Sequence, residues 1–187
     1  MTRELQGRVA IVTGVSRRQG IGFAIARRLA SMGAGLFLQS YAPYDRLKPC
    51  GANEQNGDGM VSELKATGVR VESIELELSE PGSPAKLVTS ATEMHDHADI
   101  LVINHAYDVA ESLDELSIEQ IDMHLAINVS APSLLAKEFV RRHDCRQGGR
   151  SEDDVWRTSR PNAIVVGLRG FERRSASVDR QSRRCAD

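Results

Sequence analysis

The stretch from Arg8 to Met32, RVAIVTGVSRRQGIGFAIARRLASM, leaves few folds open to this chain. Val9 to Val12 form a short, wholly apolar run of the kind that makes a buried parallel strand, and Thr13-Gly14 ends it with a turn signal. From Ile21 the apolar period lengthens from two residues to about 3.6, which places Ile21, Ile25, Leu29 and Met32 on one helical face. Gly14, Gly20 and Gly22 lie between strand and helix. Without side chains there, backbone N–H groups can approach a phosphate at the positive end of the helix. The alternative is a tight turn that binds nothing.

Gly35 to Ser40 (GLFLQS) follows one helix length later and reads as a second strand, so the unit is βαβ and the sheet parallel. In such a unit an acidic residue ending the second strand holds the ribose of NAD, whereas a neutral residue near arginines accommodates the 2′-phosphate of NADP. Ser40 stands at that position, with Arg17 and Arg18 in the loop opposite, so NADP is preferred and NAD remains possible.

Residues 41–58 read as a long loop before a helix near Met60 to Thr67. Val69 to Leu78 alternates like a third strand, Pro81 opens a helix to about Glu93, and Asp99 to Asn104 (DILVIN) is a fourth strand. His95-Asp96-His97 has no third ligand beside it and reads as a polar loop, not a metal site. Ser117 to Gln120 has the form of a capping box. It opens a helix with the stripe Ile118, Ile121, Leu125, Pro132, Leu135 and Phe139, in which Asn128 interrupts the apolar series. A polar group on a buried stripe needs a partner or a purpose.

Thr13-Gly14 followed by Gly20-Ile21-Gly22 resembles the cofactor loop of the short-chain dehydrogenase/reductase family, with five residues, Val15 to Gln19, where the family has three. By that resemblance Gly14, Ser16, Arg17, Arg18, Gly20, Ile21 and Gly22 border the cofactor, and Glu77-Leu78 matches an acidic-aliphatic pair beside the adenine. Asn104-His105-Ala106 is similar to the family's Asn-Ala-Gly turn, whose asparagine ties neighbouring strands together next to the cofactor. DMHLAINVSAP resembles the segment supplying the asparagine of the catalytic tetrad, here Asn128, which holds a water in the proton relay. The fold so implied is α/β: a Rossmann-like, doubly wound parallel sheet with helices on both faces, spanning residues 1–149. The implied activity is hydride transfer between NADP(H) and a small carbonyl or alcohol substrate, of the 3-oxoacyl carrier-protein reductase type. A homodimer or homotetramer is implied too, paired through the helix around Asn128 and the helix that follows the family's tyrosine.

The resemblance stops near Gly149. The family's next features are a strand ending in a catalytic serine and then Tyr-x-x-x-Lys, yet no tyrosine follows Tyr107 and no lysine follows Lys137. Tyr44-x-x-x-Lys48 has the right spacing and Ser31 lies thirteen residues upstream. A whole strand separates Ser31 from Tyr44, so the match is read as coincidence. The composition changes as well: residues 141–187 carry 12 basic and 7 acidic side chains against 12 and 19 before them, and all the basic ones are Arg. Reading the tail codons one base further along permits Met-Met-Ser-Gly from Asp153 and Ala-Tyr-Val-Ala-Ser-Lys-Gly from Gly167 to Arg173. The serine would then fall at Val155, the tyrosine at Leu168 and the lysine at Glu172, which points to a frameshift close to Gly149 and to a poorly packed tail over 150–187.

Two other functions are open to this sequence, an inert nucleotide binder and a nucleic-acid partner acting through the arginines. Acidic residues interrupt that run and no aromatic platform accompanies it, which argues against nucleic acid. No apolar run is long enough to span a membrane and the start lacks the apolar segment of a signal peptide, so a cytoplasmic location is expected. Cys50, Cys145 and Cys185 have no metal spacing and are expected to be free thiols.

Overall fold

The structure, a computed structural model, describes residues 3–46, 56–108, 112–142, 151–153 and 166–168. The chain runs β1 (Val9–Val12), α1 (Ile21–Ser31), β2 (Gly35–Ser40), α2 (Ala42–Arg46), α3 (Asn56–Lys65), β3 (Val71–Glu75), α4 (Ser83–His95) and β4 (Ile100–Val102). A short 3₁₀ turn (Leu113–Glu115), α5 (Ile118–Leu125), a π turn (Ala126–Ser130) and α6 (Ala131–Arg142) follow. Beyond them, β5 (Ser151–Asp153) and β6 (Val166–Leu168) pair antiparallel. Lys48 and the three cysteines lie outside the described residues.

The main sheet is wholly parallel, in the order β3-β2-β1-β4. Alternation along the strands sends Ala10, Val12, Leu36 and Leu38 to one face, where Phe23, Ala26 and Ala30 of α1 and Met60 and Leu64 of α3 cover them. Ile11, Phe37, Leu101 and Ile103 face the other way, beneath Leu87, Val88 and Ala91 of α4 and Leu135 and Phe139 of α6. Both faces are covered, as the doubly wound reading requires. Phe37 is fully buried. Its truncation to Ala should cost about 3–5 kcal/mol.

Two helical faces differ from the sequence reading. In α1 the residues turned to the sheet are Gly22, Phe23, Ala26 and Ala30, while Ile21 is 54% exposed. Ile25 and Leu29 pack part-buried against the same core, beside Ala26 and Ala30, whose small side chains let the helix approach the strands closely. The helix ends with Gly33 at φ +96°, where the Gly33 and Ala34 N–H groups donate to the carbonyls of Ala30 and Leu29. The stripe through α5 and α6 is buried only in its second half: Leu135 and Phe139 enter the core, but Ile118 is 72% exposed and Ile121, Leu125 and Val129 are exposed with it. His95 is also not in a loop. It ends α4, buried edge-on against Phe37, and burial lowers its pKa.

At the amino ends of the strands the buried carboxylate of Asp99 accepts hydrogen bonds from the Val9 N–H at 2.8 Å and from Arg8 at 2.9 Å, with His97 3.2 Å away. The start of β1 is thereby pinned to the start of β4.

Candidate functional site

The opposite, carboxyl ends of the strands carry a stitched set of polar groups. Gly14, one residue past Thr13, sits at φ +70°, a conformation glycine adopts without strain. Its N–H donates to Gln39 Oε1 at 3.0 Å. Gln39 is 2% exposed, and its Nε2 donates to the carbonyls of Leu76 at 2.6 Å and Ser40 at 3.1 Å. Asn104 Nδ2 donates to the carbonyls of Thr13 and Gly14, at 3.2 and 3.0 Å, and the Asn104 N–H donates to Thr13 Oγ1 at 2.9 Å. The turns after β1 and β4, the end of β2 and the exit of β3 are thus joined by two side-chain amides. Asn104 Oδ1 is buried with no hydrogen-bond partner among the described residues.

Above this floor lies a cleft of about 660 Å³, lined by Gly14, Ser16, Arg17, Gly20, Ile21, Glu77, Leu78, Asn104, His105 and Ala106 among the residues expected from the sequence. It sits where the strand order reverses between β1 and β4, the position at which open parallel sheets take ligands. Four expected residues do not line it. Gly22 packs instead, since a Cβ there would lie 2.7 Å from both Gly14 O and Asn104 Nδ2. Arg18 is ion-paired with Glu63 on α3. Ser40 falls between Gln39 and Tyr41, and those two face the cleft, because side chains alternate along a strand. Asn128, in the π turn, donates from Nδ2 to Tyr107 O at 2.8 Å and accepts at Oδ1 from the Tyr107 N–H at 2.9 Å.

The cleft also takes in Gln39, Tyr41, Pro43, Tyr44, Asp45, Tyr107, Asp108, Met123 and Ile127, which the sequence reading did not assign to it. Tyr41 donates to Glu77 Oε2 at 2.7 Å, and that bond, with burial and the charges of Glu77 and Glu75, raises its pKa. Tyr44 Oη accepts from the Asp108 N–H at 2.8 Å and donates to Asp108 O at 2.9 Å, with its ring 5.5 Å from that of Tyr107. A glutamine among apolar strand residues was the one signal in the sequence that could have marked Gln39.

His105 braces the cleft from below. Its Nε2 lies 3.2 Å from Ile127 O and so donates to it, which leaves Nδ1, 2.8 Å from Thr13 Oγ1, to accept the hydroxyl proton. Burial lowers its pKa to about 4, so the ring is neutral near pH 7. Among the described residues no group of three or more His, Cys, Asp or Glu side chains could hold a metal ion.

The profile of the short chain dehydrogenase family matches residues 8–150. The chain belongs to that family. It is 36% identical over 152 residues to the human protein named dehydrogenase/reductase SDR family member 4, a match covering 80% of this chain and 50% of the relative. Among solved structures, a short chain dehydrogenase from Burkholderia cenocepacia in complex with NADP is similar, with a TM-score of 0.66 and 32% identity over 75% of this chain and 52% of that one. A blue fluorescent protein from a metagenomic library in complex with NADPH gives a TM-score of 0.65 and 30% identity over 75% and 53%. The chain spans about half the length of the curated relatives it matches.

Proposed function

We propose that this chain binds NADP(H) in the cleft and derives from an oxidoreductase that transfers hydride between that dinucleotide and the carbonyl or alcohol group of a small molecule. The observation carrying the reading is that the Gly14–Gly22 loop and Asn104 meet at the strand-order reversal, each shaped by the other. The residues present fit such a ligand. Gly20 begins α1 without a side-chain cap and no acidic residue occupies its first turn, so the N–H groups of that turn face a phosphate without competition from the helix's own side chains. A Cβ at Gly14 would lie 2.9 Å from Asn104 Nδ2, so the narrow turn is kept for backbone. Arg17 supports the phosphorylated dinucleotide, and Glu77 and Leu78 supply an edge for the adenine. The two similar structures named above are complexes with NADP and NADPH, which points the same way.

When bound, the nicotinamide supplies or accepts the hydride. The chain's own contribution is to bind and orient: Gln39 and Asn104 hold the turns rigid, while neutral His105 fixes Thr13 against the π turn. Proton transfer is the weaker half. Among the described lining residues there is no lysine to lower the pKa of a tyrosine, and the hydroxyl of Tyr41 is drawn to Glu77 instead. Turnover well below that of a family member carrying the Ser, Tyr and Lys set is therefore expected, and an inert nucleotide binder is the second reading. The exposed apolar residues Ile118, Ile121, Leu125 and Val129 support pairing of two copies through this face. No helix among the described residues is long and apolar enough to cross a membrane, and action in the cytosol is our reading.

Titration of the chain with NADPH, followed by nucleotide fluorescence, tests the proposal. Micromolar or tighter binding that Gly22→Ala abolishes is expected, and no binding at millimolar nucleotide would refute it. Steady-state oxidation of NADPH with carbonyl compounds then separates the impaired enzyme from the inert binder.

A further inference from the structure

The next inference rests on the dinucleotide reading and concerns how sharply the cleft distinguishes NADP(H) from NAD(H). Arg17 is the one cation among the described lining residues, whereas three carboxylates line the same cleft: Asp45, Glu77 and Asp108. Glu77 is engaged by the hydroxyls of Tyr41 and Ser79. Asp45 is placed differently. Its Oδ1 lies 3.4 Å from Arg17 Nε, and its side chain is only 14% exposed against 42% for the arginine.

Two contacts hold Asp45 there. The residue before it, Tyr44, makes a pair of hydrogen bonds to the Asp108 backbone, which carries α2 from the end of β2 across to the segment after β4. On the near side the Tyr41 N–H, just before α2, donates to Ser16 Oγ in the Gly-rich loop at 3.3 Å. Tethered at both sides, Asp45 stays beside Arg17. A 2′-phosphate reaching this arginine carries close to two negative charges, and it would share the guanidinium with a carboxylate already in place.

We propose that Asp45 is a specificity-determining residue: it competes with the 2′-phosphate for Arg17 and so narrows the preference for NADP(H) over NAD(H). The carboxylate opposes a ligand that carries a 2′-phosphate, whereas a free 2′-hydroxyl brings no charge for it to oppose.

The test is calorimetric titration of the 187-residue chain with 2′,5′-ADP and with 5′-AMP, which differ only in the 2′-phosphate. Asp45→Asn keeps the shape and removes the charge. Its affinity for 2′,5′-ADP should rise about three- to tenfold with 5′-AMP unchanged within about twofold, the size expected for a partly exposed ion pair plus the repulsion it relieves. In an Arg17→Met background the share of that gain owed to competition for the guanidinium should vanish, leaving only the share owed to direct repulsion. Because both nucleotides are titrated into one sample, a partly folded variant leaves the affinity ratio intact, and Asp45→Ala repeats the measurement without an amide. An unchanged ratio in Asp45→Asn, or a gain that survives Arg17→Met in full, overturns the inference while leaving the dinucleotide reading in place. Failure of the wild-type chain to bind either nucleotide removes both.

Discussion

Asn128 grips the backbone of Tyr107 at both its polar atoms, donating from Nδ2 to the carbonyl at 2.8 Å and accepting at Oδ1 from the N–H at 2.9 Å. The pair ties the π turn to the segment after β4, across 21 residues of chain, at the rim of the cleft. Asn128→Ala leaves both Tyr107 groups without this partner and should cost about 1–3 kcal/mol. Urea denaturation of the two proteins measures it, and a midpoint shift corresponding to less than about 0.5 kcal/mol would contradict the assignment.

What the sequence revealed and what it hid follow from the range of the interactions involved. The four strands were legible as apolar runs because burial on both faces demands them, and β1 and β2 lie where the pattern put them. The loop between β1 and α1 was legible from its glycines. On α1 the spacing brings Ile25 and Leu29 against the core as expected, while Ile21 is exposed and the deepest contacts fall to Phe23, Ala26 and Ala30. Ser40 ends its strand, as the sequence shows, yet strand alternation brings Gln39 and Tyr41 to the cleft. No local pattern could show that Asn128 serves Tyr107, or that Tyr44 reaches Asp108 across 64 residues.

Two glycines give opposite expectations for one substitution. Gly22→Ala forces a methyl to within 2.7 Å of Gly14 O and Asn104 Nδ2, backbone and a buried amide that cannot yield cheaply, so it should destabilise by about 1–3 kcal/mol and abolish nucleotide binding. Gly59, inside α3 and exposed, has nothing within 4 Å of the added carbon. Gly59→Ala should stabilise by roughly 0.5–1 kcal/mol through helix propensity. Thermal melts of both variants provide the comparison, and equal effects would be inconsistent with the packing described.

His105 makes stability acid-sensitive. Its folded pKa is about 4, below the ordinary value of 6.5, so the unfolded chain binds a proton first as pH falls. The contribution is whole above pH 6.5 and is lost progressively toward pH 4, amounting at most to about 3 kcal/mol at the full shift. His95, also lowered by burial, acts in the same direction. In His105→Gln the loss of stability between pH 7 and pH 4.5 should be smaller than in the wild type. Urea midpoints at the two pH values decide it, and parallel losses would exclude His105 as the source.

The shifted reading of the tail makes a demand on the gene. A tyrosine at Leu168 requires a leucine codon ending in TA, and a lysine at Glu172 requires GAA followed by an Arg173 codon beginning with A. Resequencing tests this directly. A different Leu168 codon in a verified frame would remove the shifted tyrosine, and residues 150–187 would then stand as a sequence in their own right.

Asp99, clasping Arg8 and the Val9 N–H at one end of β1, has a consequence for how this scaffold can change. Gly14 begins the cleft five residues beyond Val9, roughly 17 Å away at about 3.3 Å per residue. Substitutions that far apart and without shared partners combine almost additively. Ligand preference can therefore drift at one rim of the sheet while the clasp at the other keeps the strands in register, and a designer could reinforce the clasp first to gain tolerance for bolder changes in the cleft.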